Sequence, residues 1–247
     1  MSLLSGFDVS LPEVGFFAEA SRAASAGGSA PAGWTVITPA QLGLSSEYWD
    51  GNHFTDPSSG ASAIVLQQGN EIVISFRGTD SSTDAAHFIE LFTGTYIEHY
   101  RPLLTALASY APVDADFAFT GASLGGAATN QMANIATADY GGRFASADFV
   151  AFASPLIVDK LGILNIGFEN DPVYKLLSGY ADSASSLDNF VLATSEYIAG
   201  NYDGQHPLSD YAHNGALGFA ALDRLSQSVS GEGSDYIDGV PSSTVFS

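Results

Sequence analysis

The sequence predicts an α/β domain built on a mainly parallel sheet. Two observations carry this. From about Ala63 to Gln227, short strand-like runs alternate with runs of helical periodicity, the signature of strand–helix–strand units that stack strands in parallel. The chain has 247 residues, 46% of them hydrophobic and 12% aromatic, enough to enclose one large core.

The elements follow in order. "EVGFFAEASRAASA", Glu13 to Ala26, has helical spacing and ends at the Gly27-Gly28 pair and Pro31. "GWTVITPAQLGL" and "DGNHFTDPSSGAS" are rich in turn formers and predict a largely irregular arm. Ala63–Gln67 and Glu71–Phe76 are β-rich and flank the polar turn Gln68-Gly69-Asn70, so they form a hairpin. Ser82 to Tyr110 is helical in pattern with a break near Gly94. Asp116–Thr120 is a strand, Leu124–Ala138 a helix of small residues, and "DFVAFA" and "NFVLA" (Asp148–Ala153, Asn189–Ala193) are further strands. Pro207 to Gln227 closes with a helix. No linker precedes about Val229, so residues 1–229 form one domain and 230–247 a tail.

Charge narrows the partners. Seven basic against 27 acidic residues give a formal net charge of −20, which excludes the basic face that nucleic acid requires and disfavours anionic membranes. Such acidity suits solubility in salt, or binding of cations. The absence of cysteine removes disulfides and thiolate metal sites. "MSLLSGFDVSLPEVGFFAEA" lacks a basic segment followed by a long apolar core, and no run reaches the length of a membrane span. A soluble protein without a cleaved leader is expected.

The chemistry centres on Gly121-Ala122-Ser123-Leu124-Gly125, a G-x-S-x-G. In a chain with 26 glycines the bare pentapeptide is weak, but its neighbours supply the strand–turn–helix that the motif needs. Small residues let backbones meet at a sharp turn, and a helix starting at Leu124 aims amides at charge forming beside Ser123. A serine nucleophile needs a base, and the base an orienting acid. Asp171 in "FENDPVYKL" follows a short β-like run, where an α/β sheet exposes functional groups. His206 lies on the loop entering the last helix and is favoured over His213, two turns inside it. The order Ser123, Asp171, His206 is that of α/β-hydrolases. "IVISFRGTD" ends a strand at Phe76 and turns at Gly78, offering the Thr79 amide as an oxyanion donor beside that of Leu124.

These pieces together resemble the class 3 (fungal-type) lipases of the α/β-hydrolase superfamily, and most of all the catalytic part of bacterial lipases with C-terminal calcium-binding RTX repeats. "ISFRGTD", "TGASLGG", "ENDPVY" and "HPLSDY" carry the resemblance, in the expected order from Ile74 to Tyr211. It implies a Ser123–His206–Asp171 triad, a Thr79–Leu124 oxyanion hole, and hydrolysis of acyl esters through an acyl-enzyme with no cofactor for the chemistry. One departure is Ala122, where the family usually has histidine. Phospholipase A1 and acyltransfer activities use the same machinery; a non-catalytic calcium-dependent surface module is the alternative from another class.

Two further expectations follow. The segment from about residue 81 to 100 carries Phe88, Ile89, Leu91, Phe92 and Ile97 on one side and Asp84, His87 and Glu90 on the other. In the family this region holds a helical lid that opens at an oil–water interface. The tail "SGEGSDYIDGV" matches the RTX nonapeptide at Gly231, Gly233, Asp235 and Ile237; one copy cannot build a calcium cage alone. The resemblance implies secretion without N-terminal cleavage, and the acids Asp80, Asp84, Asp182, Asp188 and Asp203 are candidates to hold a structural calcium.

Overall fold

A computed structural model describes residues 11–24, 28–78, 88–158, 163–168 and 189–192. Within these residues the chain forms a nine-stranded sheet. The strands are β1 (Thr35–Val36), β2 (Trp49–Asp50), β3 (His53–Thr55), β4 (Ser62–Gln68), β5 (Glu71–Phe76), β6 (Asp116–Ala122), β7 (Asp148–Phe152), β8 (Ile163–Phe168) and β9 (Asn189–Leu192). They lie side by side in chain order from β2 to β9, with β1 paired to β4. From β2 to β5 the pairing is antiparallel, and from β5 to β9 it is parallel. The hairpin around Gly69-Asn70 forms as the sequence predicts, in the register Gln68 opposite Glu71.

The arm expected to be irregular is partly ordered into the sheet. Asp50 pairs with His53 across Gly51-Asn52, so β2 and β3 make a two-residue hairpin. The Asp-Gly-Asn run was the signal for it, but the flanking strands are too short to show alternation.

Helices cover both faces, and the period-2 pattern of the strands assigns each residue to one of them. On one face Val65, Ile72, Ile74, Phe76, Phe117, Phe119 and Phe149 pack with α3 (Arg101–Tyr110) and α4 (Leu124–Ile135). On the other, Ile64, Leu66, Val73, Ala118 and Val150 meet α1 (Leu11–Ala23) through Phe17, Ala18 and Ala20. The larger face carries an aromatic ladder: Phe76 stacks on Phe119 at 6.0 Å and Phe119 on Phe149 at 5.4 Å, with Phe144 edge-on. Each fully buried phenylalanine contributes about 1.5–3 kcal/mol by leaving water. α1 ends where His53 Nε2 donates to the Ala23 carbonyl at 2.9 Å, occupying one of the carbonyls that a helix leaves unpaired at its C-terminus.

The break expected near Gly94 in this helical pattern is present: among the described residues from Phe88 to Tyr110, two helices flank a tight turn. α2 (Phe88–Thr93) stops at Gly94, which has φ +73°; a 3₁₀ turn, Tyr96–Tyr100, follows and leads into α3. Pro102 in the first turn of α3 explains the restart, because proline lacks the amide that the preceding turn would need.

Candidate active site

Ser123 stands at the junction of β6 and α4 with φ +55° and ψ −121°. This is a sparsely populated conformation for a residue with a side chain, costing on the order of 1–3 kcal/mol. The junction is clamped on both sides: the Ser123 amide donates to the Phe152 carbonyl at 2.9 Å, and the Ser123 carbonyl accepts from the Ala127 amide at 3.0 Å. Ser123 is 9% exposed. The amides of Leu124, Gly125 and Gly126 open the helix, where no intrahelical acceptor exists for them and the dipole favours negative charge. Leu124, predicted as an oxyanion donor, is the first helical residue, with its side chain in the core.

Close backbone approach accounts for the glycines around it. A Cβ on Gly125 would lie 2.9 Å from the Phe76 carbonyl carbon and 3.1 Å from that of Arg77. One on Gly78 would lie 2.7 Å from the Ala122 carbonyl oxygen and 3.7 Å from the Ser123 Cβ. The end of β5 and the serine turn therefore touch, which brings the "FRG" backbone to the same rim as Ser123. Thr79 itself, and with it Asp171, His206, His213 and the five aspartates considered for calcium, lie outside the described residues. So does the RTX-like tail. Among the described residues, no group of three or more His, Asp or Glu side chains is placed to hold a metal ion, and no helix is long and apolar enough to cross a membrane.

The rim extends to the turn after β3. Arg77 donates to the Gly60 carbonyl at 2.8 Å and its amide to the Ser62 carbonyl at 2.8 Å. Asp56 closes this turn, accepting from the Ser59 amide at 2.9 Å and from the hydroxyls of Ser58 and Ser59. Burial would raise the Asp56 carboxyl, but these hydrogen bonds and nearby His99 outweigh it and leave the group below the ordinary carboxylate range. A carboxylate depressed on folding stabilises fully above its unfolded value, about 3.9, and loses that contribution as pH falls toward its folded value. Stability is therefore expected to decline below about pH 4, and Asp56→Asn to flatten that limb. Urea midpoints across pH 2–7 measure both; an unchanged acid limb in the variant would count against the assignment.

Of the segment in which a lid is expected, residues 88–100 are described, and several of them lie in the core. Leu91, Tyr96, Ile97 and Tyr100 are all at most 1% exposed and belong to the main core. His99 Nε2 meets Glu90 Oε2 at 2.9 Å while its Nδ1 lies 3.5 Å from Asp56. Gln131 on α4 holds the same segment by its main chain: its Oε1 accepts from the Ile97 amide at 2.8 Å, and its Nε2 donates to the carbonyls of Glu90 and Leu91 at 3.3 and 3.2 Å. The side chains of Leu91, Tyr96, Ile97 and Tyr100 thus serve as a fixed wall; displacing them would uncover core. Residues 79–87 lie outside the described residues. Gln131→Ala strands one amide and leaves two carbonyls to find other partners, and is expected to cost about 1–3 kcal/mol. Denaturant unfolding and faster hydrogen exchange at the Ile97 amide would show it; unchanged exchange there would refute the anchoring role.

Neither Gln131 nor its neighbour Asn130 was singled out by the sequence. Both are fully or nearly buried on a helix that reads as apolar and small, and a polar residue at an inward helical position was the available signal.

Comparison with known proteins agrees with this picture. No protein-family model matches the chain. A Pseudomonas fluorescens lipase is 33% identical over 185 residues, covering 63% of this chain and 39% of that lipase. A second lipase from the same organism is 40% identical over 89 residues, covering 34% and 20%. The chain thus spans well under half the length of the curated relatives it matches. Among solved structures, the extracellular lipase LipA from Serratia marcescens superposes with a TM-score of 0.52 at 29% identity, over 59% of this chain and 28% of that one. The sheet order, the strand–serine–helix turn and this superposition define an α/β-hydrolase fold. Within that superfamily the chain is related to bacterial lipases, in keeping with its resemblance to class 3 lipases.

Proposed function

We propose that this chain is the catalytic part of a serine ester hydrolase acting on acyl esters of lipids, with Ser123 as nucleophile. The observation that supports it most is the strained Ser123 backbone at the head of α4, against the end of β5. Strain held in place by surrounding packing is characteristic of functional residues, and no fold requirement puts a serine rather than a glycine at φ +55°.

In this reading His206 removes the proton from Ser123 Oγ as that oxygen bonds to the ester carbonyl carbon. Charge moves to the carbonyl oxygen, where the amides of Leu124 and Thr79 stabilise it; loss of one such donor typically costs about 10²–10³ in rate. His206 then hands the proton to the departing alcohol oxygen as the C–O bond breaks. Water repeats the sequence on the acyl-enzyme, and Asp171 keeps the imidazole oriented throughout. The chemistry calls for no cofactor.

Secretion is proposed on the likeness to an extracellular lipase, and a structural calcium on the RTX-like tail and the net charge of −20. Activity at an oil–water interface is proposed on the resemblance to class 3 lipases and the apolar residues of the segment from about 81 to 100.

Two measurements test the proposal. A fluorophosphonate should label Ser123, and p-nitrophenyl esters from two to sixteen carbons should be hydrolysed with a preference set by the acyl pocket. Phospholipids and added alcohol in parallel separate lipase from phospholipase A1 and acyltransferase. No labelling, with no turnover of any of these, would favour a non-catalytic module.

A further inference from the structure

Asn165 is the oddity on the face of the sheet that α4 covers. It lies two residues along β8 from the core residue Ile163 and is 1% exposed. It is met by Asn130, fully buried on α4 seven residues after Ser123. Asn130 Nδ2 donates to Asn165 Oδ1 at 2.8 Å and to the Gly126 carbonyl at 3.0 Å, with Ser154 Oγ at 3.3 Å. Its Oδ1 accepts from the Val158 amide at 3.2 Å. One side chain thus ties the serine-bearing helix to the loop after β7 and to the neighbouring strand β8.

For stability alone this arrangement gains little. For the Asn130–Asn165 hydrogen bond, replacing both partners by apolar residues of similar shape is often nearly neutral, and only the Val158 amide would be left to find another acceptor. What an apolar pair lacks is direction: a network of satisfied amides holds one relative placement of its members. The placement held here is that of α4, which begins at Ser123, against β8, whose carboxyl end at Phe168 precedes Asp171 by three residues. The loop it also holds starts at Ala153, at φ +48°, directly after the carbonyl that accepts from the Ser123 amide.

We propose that Asn130 is a positioning residue: through Asn165 and the 154–158 loop it sets the strand that leads to the triad acid relative to the nucleophile's helix. The role rests on the Ser123–His206–Asp171 reading. It acts on the proton-transfer partners rather than on substrate binding, so its loss should appear in kcat and not in KM.

The experiment pairs Asn130→Leu with Asn165→Leu, which removes the amides together and keeps the volume. The full chain is assayed on p-nitrophenyl butyrate, with thermal unfolding and the rate of fluorophosphonate labelling in parallel. The expected result is a protein that still folds, with Tm lowered by about 2–12 °C because the Val158 amide loses its acceptor, kcat and labelling rate lower by about 10- to 100-fold, and KM altered less than about twofold. A paired variant with parental kcat would overturn the proposal and leave the network a packing feature. If the pair does not fold, Asn130→Ser, a shorter hydroxyl in the same place, is read by the same criteria. Failure of the parent protein to label or turn over is a different result: it refutes the nucleophile, and the positioning role falls with it.

Discussion

Ser123→Ala is expected to abolish ester hydrolysis, lowering kcat by about 10⁴- to 10⁶-fold while the protein stays folded. The loss is large because the variant removes the attacking oxygen, and what remains is the modest rate given by binding and oxyanion donors. Backbone and Cβ are kept, so the turn between β6 and α4 and its bonds to Phe152 and Ala127 should persist, with unfolding shifted by no more than a few degrees. Ser123→Gly should be equally inactive yet more stable, since glycine adopts φ +55° without penalty. Initial rates on a short-chain ester, set beside thermal unfolding, decide the matter. More than about one tenth of parental activity in Ser123→Ala would remove this residue from the chemistry.

Gly125→Ala carries the second large effect, and here stability leads. In an exposed helix the change would help by about 1 kcal/mol. At this position the added methyl would overlap the Phe76 carbonyl, with the Phe76 and Arg77 carbonyl carbons at 2.9 and 3.1 Å. Those atoms are main chain of a central strand and cannot turn aside as a side chain would. The helix must back away, at a cost of about 1–3 kcal/mol or more, or roughly 2–4 °C per kcal/mol in Tm for a domain of this size. The same movement carries Ser123 away from the Gly78 turn, and a displacement near 1 Å can lower turnover by about 100-fold. Joint loss of Tm and kcat is expected; a variant matching the parent in both would mean that helix and strand are not in contact.

Much of this was legible in the sequence, for local reasons. The β4–β5 hairpin, β6, β7 and α4 follow from alternation, turn chemistry and small residues at fixed offsets, all properties of neighbouring positions. The strand–serine–helix turn at Ser123 was recognisable because the motif needs only the strand before it and the helix after it. The β2–β3 hairpin escaped because strands of two and three residues carry no period. The core position of Leu91 and Ile97 escaped for another reason: their amphipathic stripe is the same whether it faces a core or a substrate.

The sequence by itself determined that this chain is an α/β protein with a serine held at a strand–helix turn, because both depend on residues close along the chain. Tertiary structure alone decided that Gly78, Gly125 and Phe76 meet beside that serine, that Leu91, Tyr96, Ile97 and Tyr100 form a wall, and that Asn130 reaches β8 while Gln131 reaches Glu90, Leu91 and Ile97. Those outcomes depend on which surfaces meet across gaps of tens of residues, and a hydrogen-bonding side chain carries no record in the sequence of the partner it will find.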